Sequence, residues 1–120
     1  VNNMISIRGA TTIEGNIDKE IEEKSIELFT EIVKINNLDV NKIHTIIFSC
    51  TEDINKGYPG AYIRKHFNLN TVSIMHFNEM KVEGAIKLCI RILILSNEEK
   101  SSVNFVYLHH AKNLRKDINN

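Results

Sequence analysis

The residues that invite a chemical question first are the arginines. There are four, Arg8, Arg64, Arg91 and Arg115, against eleven lysines. A guanidinium stays charged and directs its donors from a rigid plane, so it can grip a carboxylate or an oxyanion at two points; an ammonium is only a point charge. The chain also holds nineteen isoleucines and fifteen asparagines. Lys, Ile and Asn share A/T-rich codons, a background that writes lysine wherever any cation will serve. An arginine kept against that drift is expected to do work that needs the planar fork. Arg8 and Arg91 both fall inside apolar stretches, where an unpaired guanidinium would be costly to bury.

Other reactive side chains form no recognisable constellation. The histidines are His44, His66, His76, His109 and His110. His109 and His110 are adjacent and would face opposite sides of a strand, which is poor for chelation. Cys50 ends one apolar run and Cys89 begins another, as small core residues do. Two cysteines make neither a disulfide framework nor a closed zinc site. The chain has no phosphate-binding glycine loop, dinucleotide fingerprint or metal motif, so covalent and metal mechanisms find no support and no cofactor is expected.

The elements that must position the arginines can be read from periodicity. Met4 to Ile13 reads as a strand, with Ile5 and Ile7 on one face and Ser6 and Arg8 on the other. Gly9 within it marks a bulge or a close backbone approach. Ile17, Ile21, Leu28, Ile32 and Ile35 recur near a 3.6 period, which predicts an amphipathic helix from Ile17 to Ile35. Asn16 suits its N-cap, the acidic residues from Asp18 to Glu23 suit its first turns, and Asn36-Asn37 ends it. Ile43 to Cys50 is a strand, Thr51 to Gly60 a polar loop around Pro59, and Ala61 to Phe67 a short helix. Thr71 to Phe77 alternates, with Val72, Ile74 and His76 on one side and Ser73 and Met75 on the other. Val82 to Leu88 turns or forms a short helical piece; Cys89 to Ser96 reads as helix or strand, its run Ile92 to Leu95 and its shortness favouring a buried strand; and Val103 to Leu108 is the last strand. The tail from Ala111 is polar, with no core to join, and is expected to be mobile.

These elements make a single α+β domain over residues 1–120: a sheet of about five strands with one long amphipathic helix on one face. One such helix covers only part of the sheet, so other subunits are expected to bury the remaining apolar face. With 120 residues there is chain for one core. Hydrophobic residues at 42% and charged residues at 25% are ordinary for a globular protein. A formal net charge of zero provides no whole-molecule field for nucleic acid or an anionic membrane. No apolar run is long enough to span a bilayer, and Val1 to Met4 shows no signal-peptide pattern. A reducing cytoplasm is the expected setting.

Six segments, in order and in register, resemble the trimeric chorismate mutases of the mixed-sheet, pseudo-α/β-barrel class. They are Ile7-Arg8-Gly9-Ala10-Thr11-Thr12, Ser49-Cys50-Thr51-Glu52-Asp53, Tyr58-Pro59-Gly60-Ala61-Tyr62-Ile63-Arg64, Asn78-Glu79-Met80, Cys89-Ile90-Arg91, and Val106-Tyr107-Leu108 followed by Leu114-Arg115. The likeness spans about Ile5 to Asp117, and all four arginines fall on positions that family uses. The resemblance implies an isomerase: the intramolecular rearrangement of chorismate to prephenate in phenylalanine and tyrosine biosynthesis, with no cofactor. It implies a homotrimer with active sites at subunit interfaces. It assigns Arg91 to the ether oxygen, Arg8 and Tyr107 to substrate carboxylates and Glu79 to the ring hydroxyl. Arg64 and Arg115 would lie at the pocket mouth, with Tyr58, Met75, His76 and Leu114 also contacting the substrate and Tyr58 and Arg64 coming from the adjacent chain.

Four positions depart from the family pattern. His76 stands for a cysteine near the ring hydroxyl, Ala61 for a lysine, Tyr58 for a phenylalanine and Lys116 for a proline in the tail. The first is expected to alter pH dependence and the second to weaken substrate capture. Two rival readings are a non-catalytic trimer that binds a small metabolite and a trimer of the enamine/imine deaminase type. Loss of chorismate absorbance on adding the protein separates all three.

Overall fold

The computed structural model describes residues 4–115; the expectations for Lys116 and the end of the tail lie outside them. Five strands and two α-helices form in the order β1 (Ile5–Thr12), α1 (Asp18–Asn36), β2 (Ile43–Cys50), α2 (Pro59–Phe67), β3 (Ser73–Asn78), β4 (Cys89–Ser96) and β5 (Val106–Tyr107). The strands make one mixed sheet in the order β3-β2-β4-β1-β5. β4 runs antiparallel to both β1 and β2, while β2 with β3 and β1 with β5 are parallel. The mixed α+β sheet read from the sequence is therefore correct, and the apolar run of β4 is explained by its central place. No helix among the described residues is long and apolar enough to cross a membrane.

Period two sorts the sheet's side chains between two faces. Ile7, Ile46, Phe48, Ile90, Ile92 and Ile94 point to one face and form the core with Ile21, Leu28, Phe29 and Ile32 of α1 and Ile63 of α2. Phe29 and Phe67 pack at 4.8 Å between ring centroids where the two helices meet. Gly9 lies where β1 is crossed most closely: a Cβ there would stand 2.8 Å from the Val106 carbonyl oxygen and 2.9 Å from Ile32 Cδ1. Its β1–β4 register is unbroken, so Gly9 serves close approach and not a bulge; the irregularity in the sheet falls at Ile43–Thr45 of β2.

Local chemistry moved several element ends. Ile17, not Asn16, occupies the α1 N-cap and makes no side-chain cap. Asn16 instead pairs with Asn55, donating from Nδ2 at 2.7 Å and accepting the Asn55 N–H at 3.0 Å. At the other end Asn37 takes the left-handed conformation at φ 50°. Asn36 turns inward and binds the backbone of Asn104 in both directions, at 2.9 and 2.6 Å. That clamp feeds the chain into β5, which is only two residues long. The helix α2 begins two residues early, since Pro59 at its first position is preset for helical φ.

The tail does have a core to join, contrary to its polar composition. A 3₁₀ helix, His109–Leu114, follows β5. Ala111 is fully buried and packs with Ala10, Cys89 and Tyr107 on the sheet face away from α1. The His110 N–H donates to Thr12 Oγ1 at 3.1 Å, and His109 Nε2 lies 2.7 Å from Glu27 Oε1. Two small alanines, not a hydrophobic run, make the contact, so composition did not reveal it.

Candidate active site

The face left open by the helices carries the arginines of interest. Across β2 and β4, Ser49 pairs with Arg91, and across β4 and β1, Arg91 pairs with Ala10. Ala10 in turn pairs with Tyr107 of β5, and Ser49 with Phe77 of β3. Phe77, Ser49, Arg91, Ala10 and Tyr107 thus form one row of side chains across all five strands. Met75, Ile47, Leu93 and Arg8 form the next row on the same face.

Glu79 completes the first row. It leaves β3 with its N–H bonded to the Cys50 carbonyl at 2.7 Å. Its Oε1 accepts from Ser49 Oγ at 2.6 Å and stands 3.5 Å from Arg91 Nε. The second contact is an ion pair too long for a good hydrogen bond. Arg91 Nε and the Tyr107 hydroxyl are both buried with no hydrogen-bond partner. Buried donors are normally paired, yet among the described residues the Tyr107 hydroxyl has no acceptor and Arg91 Nε has only its ion pair with Glu79.

Beside Glu79 and Arg91 lies a cavity of about 1080 Å³, walled by the 79–87 segment and by Thr51 and Asp53. Its edge is held by a clasp. Thr51 Oγ1 accepts from the Cys89 N–H at 2.9 Å and donates to Asp53 Oδ1, while Asp53 Oδ2 accepts from the Leu88 N–H at 3.0 Å. The clasp keeps Leu88 at φ 49° and so sets the start of β4 two residues before Arg91. Neither Ser49 nor the Thr51–Asp53 clasp was assigned a role from sequence. Each is polar at the end of an apolar strand, a usable signal, but which strand each would face was not legible.

The sequence-derived set divides in two. Arg8, Arg91, Glu79, Tyr107 and Met75 share the open face, and Leu114 packs beside Ala10 and Tyr107 on it, with Arg115 following. Arg8 is exposed in the chain, not buried as its apolar strand suggested. Tyr58, His76 and Arg64 are elsewhere. His76 stacks on Phe48, with centroids 5.2 Å apart, and meets the edge of Tyr58 at 5.1 Å. His76 and Tyr58 line a cavity of about 360 Å³ at the start of α2. Within one chain His76 therefore does not sit beside the Glu79 carboxylate, because the two are three residues apart and face opposite ways. Arg64 ties down the turn between α2 and β3: its Nη1 donates to the Leu69 carbonyl and its Nη2 to the Val72 carbonyl, at 2.5 and 2.9 Å. Burial pushes the Cys50 thiol up to about 12 and the Cys89 thiol up to about 11, so neither is a thiolate near neutral pH.

The chorismate mutase type I family model matches residues 4–118. The chorismate mutase AroH of Bacillus subtilis is 29% identical over 114 residues, covering 93% of this chain and 90% of that protein. Its namesake from Thermus thermophilus is 30% identical over 115 residues, covering 93% of each. The solved chorismate mutase of Clostridium thermocellum superposes with a TM-score of 0.85 at 32% identity, over 90% of this chain and 97% of its own. A match that runs through every strand of the sheet, and not through one motif, makes this chain a member of the chorismate mutase type I family.

Proposed function

We propose that the protein rearranges chorismate to prephenate in a cleft floored by the Glu79–Ser49–Arg91–Tyr107 row, and that two neighbouring chains of a homotrimer build each cleft. The observation that carries the reading is Arg91 Nε, ion-paired with Glu79 but without a hydrogen bond, beside the unbonded Tyr107 hydroxyl on an uncovered sheet face. The substrate is a dianion with an ether oxygen and a ring hydroxyl. The rearrangement breaks one C–O bond and forms one C–C bond within a single molecule, and transfers no proton.

Two effects lower its barrier. Binding the compact conformer brings the reacting carbons together, a proximity effect; Arg8 and Tyr107 perform it by holding the carboxylates. Fixed positive charge at the ether oxygen stabilises the negative charge that grows there as the bond breaks; Arg91 performs this. Glu79, oriented by Ser49, accepts from the ring hydroxyl and steadies the positive charge developing on the ring. A rate gain of 10⁶ requires about 8 kcal/mol. One oxyanion-type donor contributes about 3 to 4 kcal/mol, so Arg91 accounts for at most about half and conformer selection supplies the rest.

The shared cleft is supported by what one chain leaves undone. Met75 and Phe77 are 57% and 50% exposed on the open face, and Tyr58 is 67% exposed. The deciding assay is the decay of chorismate absorbance on adding the folded protein. Catalysed loss with prephenate as product is the expected result; a rate no higher than the uncatalysed one refutes the reading.

A further inference from the structure

His76 makes an unusual contact for a strand residue. The helix α2 has no side-chain cap from its own N-cap residue, Tyr58, and Pro59 at its first position has no N–H. The first N–H of the helix therefore belongs to Gly60, and it donates to His76 Nε2 at 2.9 Å. An unpaired N–H at a half-buried helix start is unfavourable, so β3 supplies the cap that α2 lacks. The fit is close on every side. A Cβ on residue 60 would lie 2.8 Å from His76 Cε1 and 2.5 Å from Ile74 Cγ2. Phe48 fixes the ring from below and Tyr58 from its edge.

We propose that His76 is a positioning residue: as the neutral imidazole it holds the start of α2, and Tyr58 with it, against the sheet, and on gaining a proton it releases them. This rests on the reading of Tyr58 as a wall of the cleft. The chemistry follows from the hydrogen bond. To accept at Nε2 the neutral ring must carry its proton on Nδ1. Protonation places an N–H at Nε2 facing the Gly60 N–H, and two donors repel. The positive end of the α2 dipole opposes the imidazolium further. The titratable groups lining the same cavity are Cys50 and Tyr58, and burial keeps the Cys50 thiol from offering a compensating negative charge at neutral pH. Burial accordingly holds the His76 pKa below its usual 6.5. The sign is that of a depressed base: stability tied to the neutral ring is complete above 6.5 and erodes as pH falls through the lower folded value.

The test pairs an NMR titration with kinetics on the intact protein between about pH 5 and 8, the range in which histidine titrates. The His76 ring nitrogens and the Gly60 amide are followed together, and KM and kcat for chorismate are measured in wild type, His76→Gln and His76→Phe. Glutamine keeps an acceptor near the Nε2 position and does not titrate; phenylalanine keeps the stack and loses the acceptor. The expected result is a Gly60 amide that shifts with the ring's own titration, and a wild-type KM that rises about tenfold per pH unit below it as the latched fraction falls. The kcat should hold steady, His76→Gln should lack that rise, and His76→Phe should show the raised KM at every pH. Coincident KM profiles for wild type and His76→Gln, or a Gly60 amide indifferent to the ring, overturn the proposal. The resonances decide the latch whatever the assay finds, so an absence of turnover at neutral pH would count against the reaction alone.

Discussion

Arg91 is held in place by what surrounds it and not by a strong bond of its own. Its neighbours on the row are Ser49 and Ala10, its ion partner is 3.5 Å away, and its Nε is buried without an acceptor. In the proposed mechanism such a group is preorganised for charge that grows at the ether oxygen only during the reaction, which is where fixed dipoles and cations act best. Arg91→Ala is therefore expected to lower kcat and kcat/KM together, by at least ~10²-fold, the loss typical of one oxyanion donor. Arg91→Lys keeps the charge but loses the fork, and should recover only part of that loss. Steady-state kinetics on the two variants check it; a change in KM alone would make Arg91 a ground-state binder and remove it from the chemical step.

At the scale of elements, the site depends on how closely β5 can approach β1. Tyr107 reaches the row because Val106 and Tyr107 lie parallel to Gly9 and Ala10. Gly9 has no Cβ to hold the Val106 carbonyl away, and Ile32 of α1 fills the space on the other side. Gly9→Ala must push β5 or α1 outward, and overpacking of this kind costs about 1 to 3 kcal/mol. Urea denaturation should show that loss, accompanied by a higher KM as Tyr107 moves. Gly15→Ala, where a Cβ would meet nothing within 4 Å, is the matched control and should be close to neutral. The α2–β3 corner depends likewise on Arg64, whose fork is occupied by two backbone carbonyls.

The whole molecule presents a sheet finished on one face and unfinished on the other. One face is sealed by α1 and α2; the other keeps Ile47, Leu93 and Leu95 half-buried and Met75 and Phe77 exposed. A contiguous apolar face on a small chain usually marks an interface. A trimeric mass in solution is the expected outcome of light scattering, and subunit mixing checks the shared cleft. Arg91→Ala chains and Tyr58→Ala chains, each impaired alone, are co-refolded. Mixed trimers would hold some clefts with both wild-type residues, so activity should exceed the mean of the two parents. Arg64→Ala is the poorer partner for this purpose, since it would also loosen the turn that Arg64 ties down. A monomeric mass, or no recovery after verified mixing, would refute the shared cleft.

Periodicity alone determined most of the elements, because burial on one side imposes it. The 3.6 repeat of α1, the alternation of β3 and the apolar run of β4 were legible without a structure and lay within a few residues of where they form. The four arginines stood out against a lysine-writing background, but what each one meets was not legible. Strand partners were not legible, because pairing is a long-range choice with no local signature. Ser49 therefore gained its place only when β2 was laid beside β4 and its hydroxyl met Glu79. His76 looked like a neighbour of Glu79 from resemblance; strand parity turned it to the helix face, where it caps α2. The tail looked unattached because its polar composition hid the one small residue, Ala111, that fits against Ala10. Local sequence sets which way each side chain can point; only the packed sheet decides what it meets there.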